Sequence, residues 1–316
     1  MNRRDFLASA ALTSLTGCAH RTKTSGIAAF PRLFPIRAQA DRIFRITVCV
    51  RPFRAAGPRL DVERVGDQTV VHNYGHGGSG WSLSWGSGAI VTGKAMSLGE
   101  REVAVIGCGA LGLTAAIQLQ RAGAKVTIYA KERPPEVRSS RTTGSWTPDS
   151  RVALTNAVSP DFPALWEKMC RTSFHTYENY LGLAGTPVEW LDRYALSDVA
   201  PAEAQANRRR EDPLAFAHYQ DRIADITPQA EDLVRHPFPT KYARRSSTLT
   251  FNIASYSKQL LNDFLVEGGK LEPREFHTPF SYKPCRRKRS STAPATGPER
   301  FGRTIVWCPC AGKSRG

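Results

Sequence analysis

The strongest constraint on this chain is a short apolar run, Val103 to Ile106, that leads directly into Gly107-Cys108-Gly109-Ala110-Leu111-Gly112. A helical pattern follows from Leu111 to Arg121, then Gly123, then a second strand pattern from Lys125 to Tyr129. Strand, glycine turn, helix and strand in this order form a βαβ unit of dinucleotide-binding type, and they predict an α/β fold. Each glycine has a physical reason. Gly107 permits the tight turn, Gly109 lets a pyrophosphate approach the backbone, and Gly112 lets helix and strand pack closely. Leu111 opens the helix whose positive end would meet the phosphate. Glu132, twenty residues after Gly112 and preceded by Lys131, is the expected partner of a ribose hydroxyl; the alternative is two solvated charges at a strand end. Glycines alone do not separate FAD from a nicotinamide cofactor.

The formal net charge of +16 invites a nucleic-acid reading, but its distribution argues against one. Residues 281–316 hold six Arg and three Lys against one Glu, so half of the excess lies in the last 36 residues. A basic stripe interleaved with aromatic residues is missing, and no nucleic-acid partner is expected. Asn2-Arg3-Arg4-Asp5-Phe6-Leu7 reads as a twin-arginine export start, and Leu15-Thr16-Gly17-Cys18 as a lipoprotein processing box with Cys18 acylated. These imply a signal over 1–18, a tether over 19–40, export by the twin-arginine route and membrane contact only through a lipid anchor. The seven cysteines show no paired spacing, so neither a metal site nor a disulfide framework is expected.

Alternation of Ile46, Val48 and Val50 with Arg45, Thr47 and Cys49 predicts a half-buried strand, and a second strand is expected from Thr69 to His72. The glycine-dense stretch Tyr74 to Gly80 must be a loop. Helices are expected over 162–181 and 256–266, with strands over 270–276 and 304–307. His72 and His76 have the spacing of a metal pair, but the glycines between them exclude the helix that this spacing needs.

Two segments carry a resemblance. Ser139-Ser140-Arg141-Thr142-Thr143-Gly144-Ser145-Trp146-Thr147-Pro148 is similar to the segment after the second Rossmann strand in the D-amino-acid oxidase family of FAD-dependent oxidoreductases. Arg51-Pro52-Phe53-Arg54, Arg59-Leu60-Asp61-Val62-Glu63, the run Val71 to Gly80 and Ser84-Trp85-Gly86 resemble that family's C-terminal signature. Here the signature precedes the glycine fingerprint, which implies a circular permutation, with the helix that the resemblance implies near Ala89 to Met96 joined by Ser97 to Arg101 to the first Rossmann strand. The resemblance implies a Rossmann-like FAD-binding domain with a partial α+β substrate domain. Substrate-domain strands fall in 41–68, the flavin domain in 69–150, mainly substrate domain in 151–279, and an aberrant basic tail in 280–316.

The same resemblance implies the site. FAD would meet Gly107, Gly109, Leu111, Gly112, Lys131, Glu132, Arg138, Ser139, Thr143 and Gly144 from one side, and Gly77, Gly78, Ser79, Gly80 and Ser82 from the other. Arg138 stands where the family usually has threonine and would meet a phosphate by charge. Arg51 matches the arginine that grips the substrate α-carboxylate, and Tyr256 matches a tyrosine that covers the substrate. The implied reaction converts a D-amino acid, oxygen and water to a 2-oxo acid, ammonia and hydrogen peroxide, by hydride transfer from Cα to the flavin. An additional cationic side chain in the pocket would favour D-aspartate, and the sequence does not locate one. Two other readings are a nicotinamide dehydrogenase, which Trp146 and the run His72 to Gly80 oppose, and a truncated or frameshifted fragment that at best binds flavin.

Overall fold

The computed structural model describes residues 37–43, 45–48, 50–66, 68–203, 215–276 and 304–307. The chain divides into two units, Met1–Ile43 and Phe44–Gly316. The described part of the first contains an exposed 3-10 turn, Ala40–Arg42. The expected export signal, Cys18 and most of the tether lie outside the described residues, as does the basic tail apart from 304–307. No helix among the described residues is long and apolar enough to cross a membrane.

The second unit is built from β1 (Val62–Val65), β2 (Gln68–His72), α1 (Gly80–Ser97), β3 (Glu102–Ile106), α2 (Ala110–Arg121), β4 (Lys125–Ala130), α3 (Phe162–Glu178), β5 (Val188–Ser197), β6 (Glu231–Leu233), β7 (Tyr242–Phe251), α4 (Ile253–Val266), β8 (Lys270–Pro273) and β9 (Thr304–Trp307). Six strands form one sheet in the order β1-β2-β9-β3-β4-β8. From β2 to β8 the neighbours run parallel, and β1 closes one edge antiparallel. The near-continuous apolar sequence of β3 follows from burial on both faces. On one face Val103, Val105, Val126, Ile128 and Val306 meet Leu113, Ile117 and Leu119 of α2. On the other, Val70, Ala104, Ile106 and Ile305 form a smaller cluster.

Helix α1 begins nine residues before Ala89, where the resemblance implies a helix. Four glycines hide it, since each costs a helix about 0.5–1 kcal/mol relative to alanine. Packing decides otherwise. Trp81, Leu83, Trp85, Val91 and Ala95 are all buried, and burying a large apolar side chain is worth about 1.5–3 kcal/mol. Gly86 makes the fit possible, because a β-carbon there would run into the backbone of Met169 on α3.

The strand expected over 45–50 does not form. Ile46, Val48 and Val50 are 74–86% exposed, and among the described residues no strand lies alongside them. Alternation needs a sheet edge to bury against. At the end of segment 41–68, β1 belongs to the six-stranded sheet. Conversely, β9 comes from the segment expected to be aberrant, yet it pairs with β2 on one side and β3 on the other. A second, antiparallel sheet has the order β5-β7-β6, and on β5 Trp190, Leu191 and Leu196 remain 40–45% exposed.

Candidate active site

The carboxyl ends of β2, β9, β3 and β4 share one edge of the large sheet. From β3 the chain moves outward to β4 and β8, while β9 lies on the other side of β3. That reversal marks the crevice where open α/β sheets bind ligands. Helices α1 and α2 both start here, and neither has an acidic residue in its first turn or a side-chain cap. Two positive helix ends therefore face one edge.

The first loop is the turn from β3 into α2. Gly107 lies at φ +108°, and a β-carbon on Gly112 would run into the Gly107 carbonyl oxygen. The second loop runs from Asn73 to Ser79. Gly77 lies at φ +58°, in the left-handed region, and a β-carbon there would strike the carbonyl oxygen of Arg151.

Segment 139–150 stitches the two loops together. The Ala110 amide donates to Ser139 Oγ at 3.1 Å, and Trp81 Nε1 donates to the Ser139 carbonyl at 2.8 Å. Ser139 thus joins the starts of α1 and α2. The Thr147 amide donates to Ser82 Oγ at 2.8 Å, while the Gly78 amide and Ser79 Oγ both donate to the Ser150 carbonyl, at 2.8 and 3.1 Å. Phe251 donates to the Gly144 carbonyl at 2.6 Å.

The residues expected at the cofactor fall into three groups. Gly77, Gly78, Ser79, Gly80, Ser82, Gly107, Gly109, Leu111, Gly112, Ser139 and Gly144 line or brace the shared edge. The hydroxyls of Ser79, Ser82 and Ser139 are already hydrogen-bonded to backbone, so they brace the loops. Half-buried Arg138 and exposed Thr143 make the second group, on the same segment as Ser139. The third group follows β4: Lys131 pairs with Glu275 at 2.7 Å, and Glu132 beside it is exposed.

Arg51 is exposed and forms no ion pair or side-chain hydrogen bond among the described residues. A β-carbon built on Gly78 would sit 2.9 Å from its Nη1, and the Gly77 amide donates to the Pro52 carbonyl at 3.0 Å. The expected carboxylate clamp therefore lies against the glycine loop. Tyr256 does not join it. It is fully buried on α4 among Trp81, Tyr177, Tyr180 and Phe251, and its hydroxyl accepts from Trp85 Nε1 at 2.7 Å. Its place is the core, because the apolar face of α4 turns inward. Tyr256→Phe is expected to cost about 1–3 kcal/mol by stranding the buried Trp85 donor, with oxidation rates unchanged. A stability equal to wild type in urea would contradict this.

Orphaned polar atoms concentrate at the site. Among the described residues, nine have buried side-chain nitrogen or oxygen atoms without a hydrogen-bond partner, and His72, Asn73, His76, Ser140 and Trp146 are five of them. All five lie in the two segments that flank the shared edge. Such atoms are costly unless something satisfies them. Together with the glycine cradle and the open helix ends, they fit a large polar cofactor such as FAD.

The start of the loop is held by charge. Arg59 donates to Asp61 and Glu63 at 2.8 Å and to the Tyr74 hydroxyl at 3.4 Å, while His72 Nε2 lies 2.9 Å from Glu63. Burial lowers the His72 pKa although Glu63 pulls it upward. His76 is fully buried, and burial pushes it down to about 3 from an ordinary 6.5. Above pH 6.5 its ring is neutral in folded and unfolded chains alike. As pH falls toward 3 only the unfolded chain takes the proton, so stability declines by up to about 1.4 kcal/mol per unit. Going from pH 7.5 to 5 should cost wild type about 2 kcal/mol more than it costs His76→Leu. Equal losses in denaturant titrations at the two pH values would refute this.

The spacing of residues does not reveal Trp81, Ser150 or Arg151 as parts of the site. Their positions follow from segment 139–150 crossing the start of α1, which leaves no local signal.

The family model for FAD dependent oxidoreductases (DAO) matches residues 102–275, which are 174 of the 316 residues. D-aspartate oxidase of Talaromyces thermophilus is 44% identical over 61 residues, 19% of this chain and 16% of that protein. Among solved structures, glycine oxidase from Geobacillus kaustophilus is 15% identical with a TM-score of 0.37, over 54% of this chain and 46% of that one. L-amino acid deaminase from Proteus vulgaris is 16% identical with a TM-score of 0.38, over 54% and 39%. The chain thus covers less than half the length of each of these proteins. The family match begins at Glu102 and so excludes the loop from Asn73 to Ser79, but it takes in the whole phosphate-cradling βαβ unit. By that match, over more than half its length, this chain belongs to the DAO family of FAD-dependent oxidoreductases.

Proposed function

We propose that the protein oxidatively deaminates D-amino acids, and that Arg51 holds the substrate's α-carboxylate. One observation carries the reading: the Arg51 guanidinium, without an ion pair or side-chain hydrogen bond among the described residues, lies against Gly78, on a loop that shares a sheet edge with the phosphate-cradling turn. When bound, FAD supplies the acceptor for the Cα hydride and, with oxygen, the route to hydrogen peroxide. The chain's own residues bind and orient. Gly107, Gly109 and Gly112 with the α2 amides would receive the pyrophosphate, and the backbone from Gly77 to Gly80 would approach the flavin ring. A planar guanidinium grips a carboxylate through two parallel hydrogen bonds and so fixes the direction of Cα. Neutral, buried His76 brings no charge to the cleft and offers no proton at neutral pH.

In this reading the segments 51–86 and 102–148 are permuted halves of one flavin site, and the chain is exported and lipid-anchored through Cys18. A second reading, a flavin-binding protein without turnover, draws on the open face of β5, where Trp190, Leu191 and Leu196 stay exposed. The deciding experiment purifies the full chain with FAD and follows peroxide with D- and L-amino acids. Flavin absorbance with peroxide from D-isomers alone supports the oxidase. Flavin without peroxide supports the silent binder, and a colourless, FAD-indifferent protein removes both.

A further inference from the structure

We propose that Arg151 is a second carboxylate-binding residue, and that the substrate is therefore an acidic D-amino acid; this rests on the oxidase reading above. Two neighbouring glycines lie against the two arginines. A β-carbon on Gly78 would lie 2.9 Å from Arg51 Nη1, and one on Gly77 would lie 3.5 Å from Arg151 Cβ. Aromatic residues link the two segments. The Phe216 ring has the Arg151 guanidinium over its face at 5.9 Å and Phe53, two residues beyond Arg51, against its edge at 5.5 Å.

Arg151 is also held in place by its backbone. It lies at φ +51°, a region that side chains rarely adopt, and its carbonyl packs against Gly77. Non-glycine residues in this region persist where the surroundings over-determine them, often at ligand sites. Among the described residues Arg151 forms no ion pair or side-chain hydrogen bond, and Asp149, two residues away, is taken by Gln220 Nε2 at 3.0 Å and His218 Nδ1 at 3.5 Å. Stacking on Phe216 occupies the face of the guanidinium and leaves its N–H edge available for a carboxylate. A substrate with carboxylates at both ends would engage one guanidinium at each end. The bland alternative is that Arg151 merely covers Phe216.

Succinate and butyrate separate the two, since they match in length and differ in the second carboxylate. Calorimetric titration of the full chain, loaded with FAD, should find succinate bound about tenfold tighter or more than butyrate. Arg151→Met keeps a stem over Phe216 and should reduce that preference to less than about twofold, with butyrate affinity unchanged; Arg151→Lys should retain most of it. In turnover, Arg151→Met should lower the D-aspartate to D-alanine ratio of kcat/KM by about 100-fold. No preference in wild type, a preference that survives in Arg151→Met, or parallel loss of both ligands overturns the proposal. Absence of peroxide with every D-amino acid would instead sink the oxidase reading, and the succinate comparison would still decide Arg151.

Discussion

Gly112→Val is expected to yield a colourless protein, with FAD affinity reduced by more than about 100-fold. The reason is local and rigid. A β-carbon at this position would run into the carbonyl oxygen of Gly107, which is backbone rather than the tip of a flexible side chain. The turn from β3 into α2 would have to open, and its amides would no longer converge on a pyrophosphate. Overpacking of this kind costs about 1–3 kcal/mol of stability, so the fold should survive the loss of cofactor. FAD per chain after gel filtration, read beside the thermal midpoint, separates the two effects. Gly93→Ala is the control: nothing lies within 4 Å of a β-carbon there, so colour should persist and α1 should gain about 0.5–1 kcal/mol. A yellow Gly112→Val with full stoichiometry would mean that this turn does not hold the cofactor.

Arg51→Ala should lower kcat/KM about 1,000-fold, or about 4 kcal/mol at about 1.4 kcal/mol per decade, with flavin fully retained. Arg51 lies against Gly78. If it holds the carboxylate as proposed, its loss would remove that grip and with it the direction of Cα, so both KM and kcat should suffer. Arg51→Lys keeps the charge and loses the two-pronged geometry, and should sit about 10- to 100-fold below wild type. Unchanged turnover in Arg51→Ala would remove Arg51 from the site.

What was legible in the sequence depended on how local its cause was. The βαβ unit was read to within a residue at each boundary, because tight turns, helix starts and apolar runs are decided by neighbours in the chain. The run over 45–50 looked equally regular and failed, since a strand needs an edge to pair with and among the described residues none lies beside it. Helix α1 failed in the opposite direction: its glycines argue against a helix, and its contacts with α2 and α3 override them. Tyr256 was misplaced because an aromatic residue on an amphipathic helix reads alike whether it faces a substrate or a core.

By itself the sequence determined the phosphate-cradling turn and the family resemblance, both properties of short continuous segments. Only the tertiary structure decided that β9 lies between β2 and β3, that Ser139 ties two helix starts together, and that Gly77 packs against Arg151. Those relations join residues tens to hundreds of positions apart. They depend on which faces pack and which edges pair, and no periodicity along the chain encodes that.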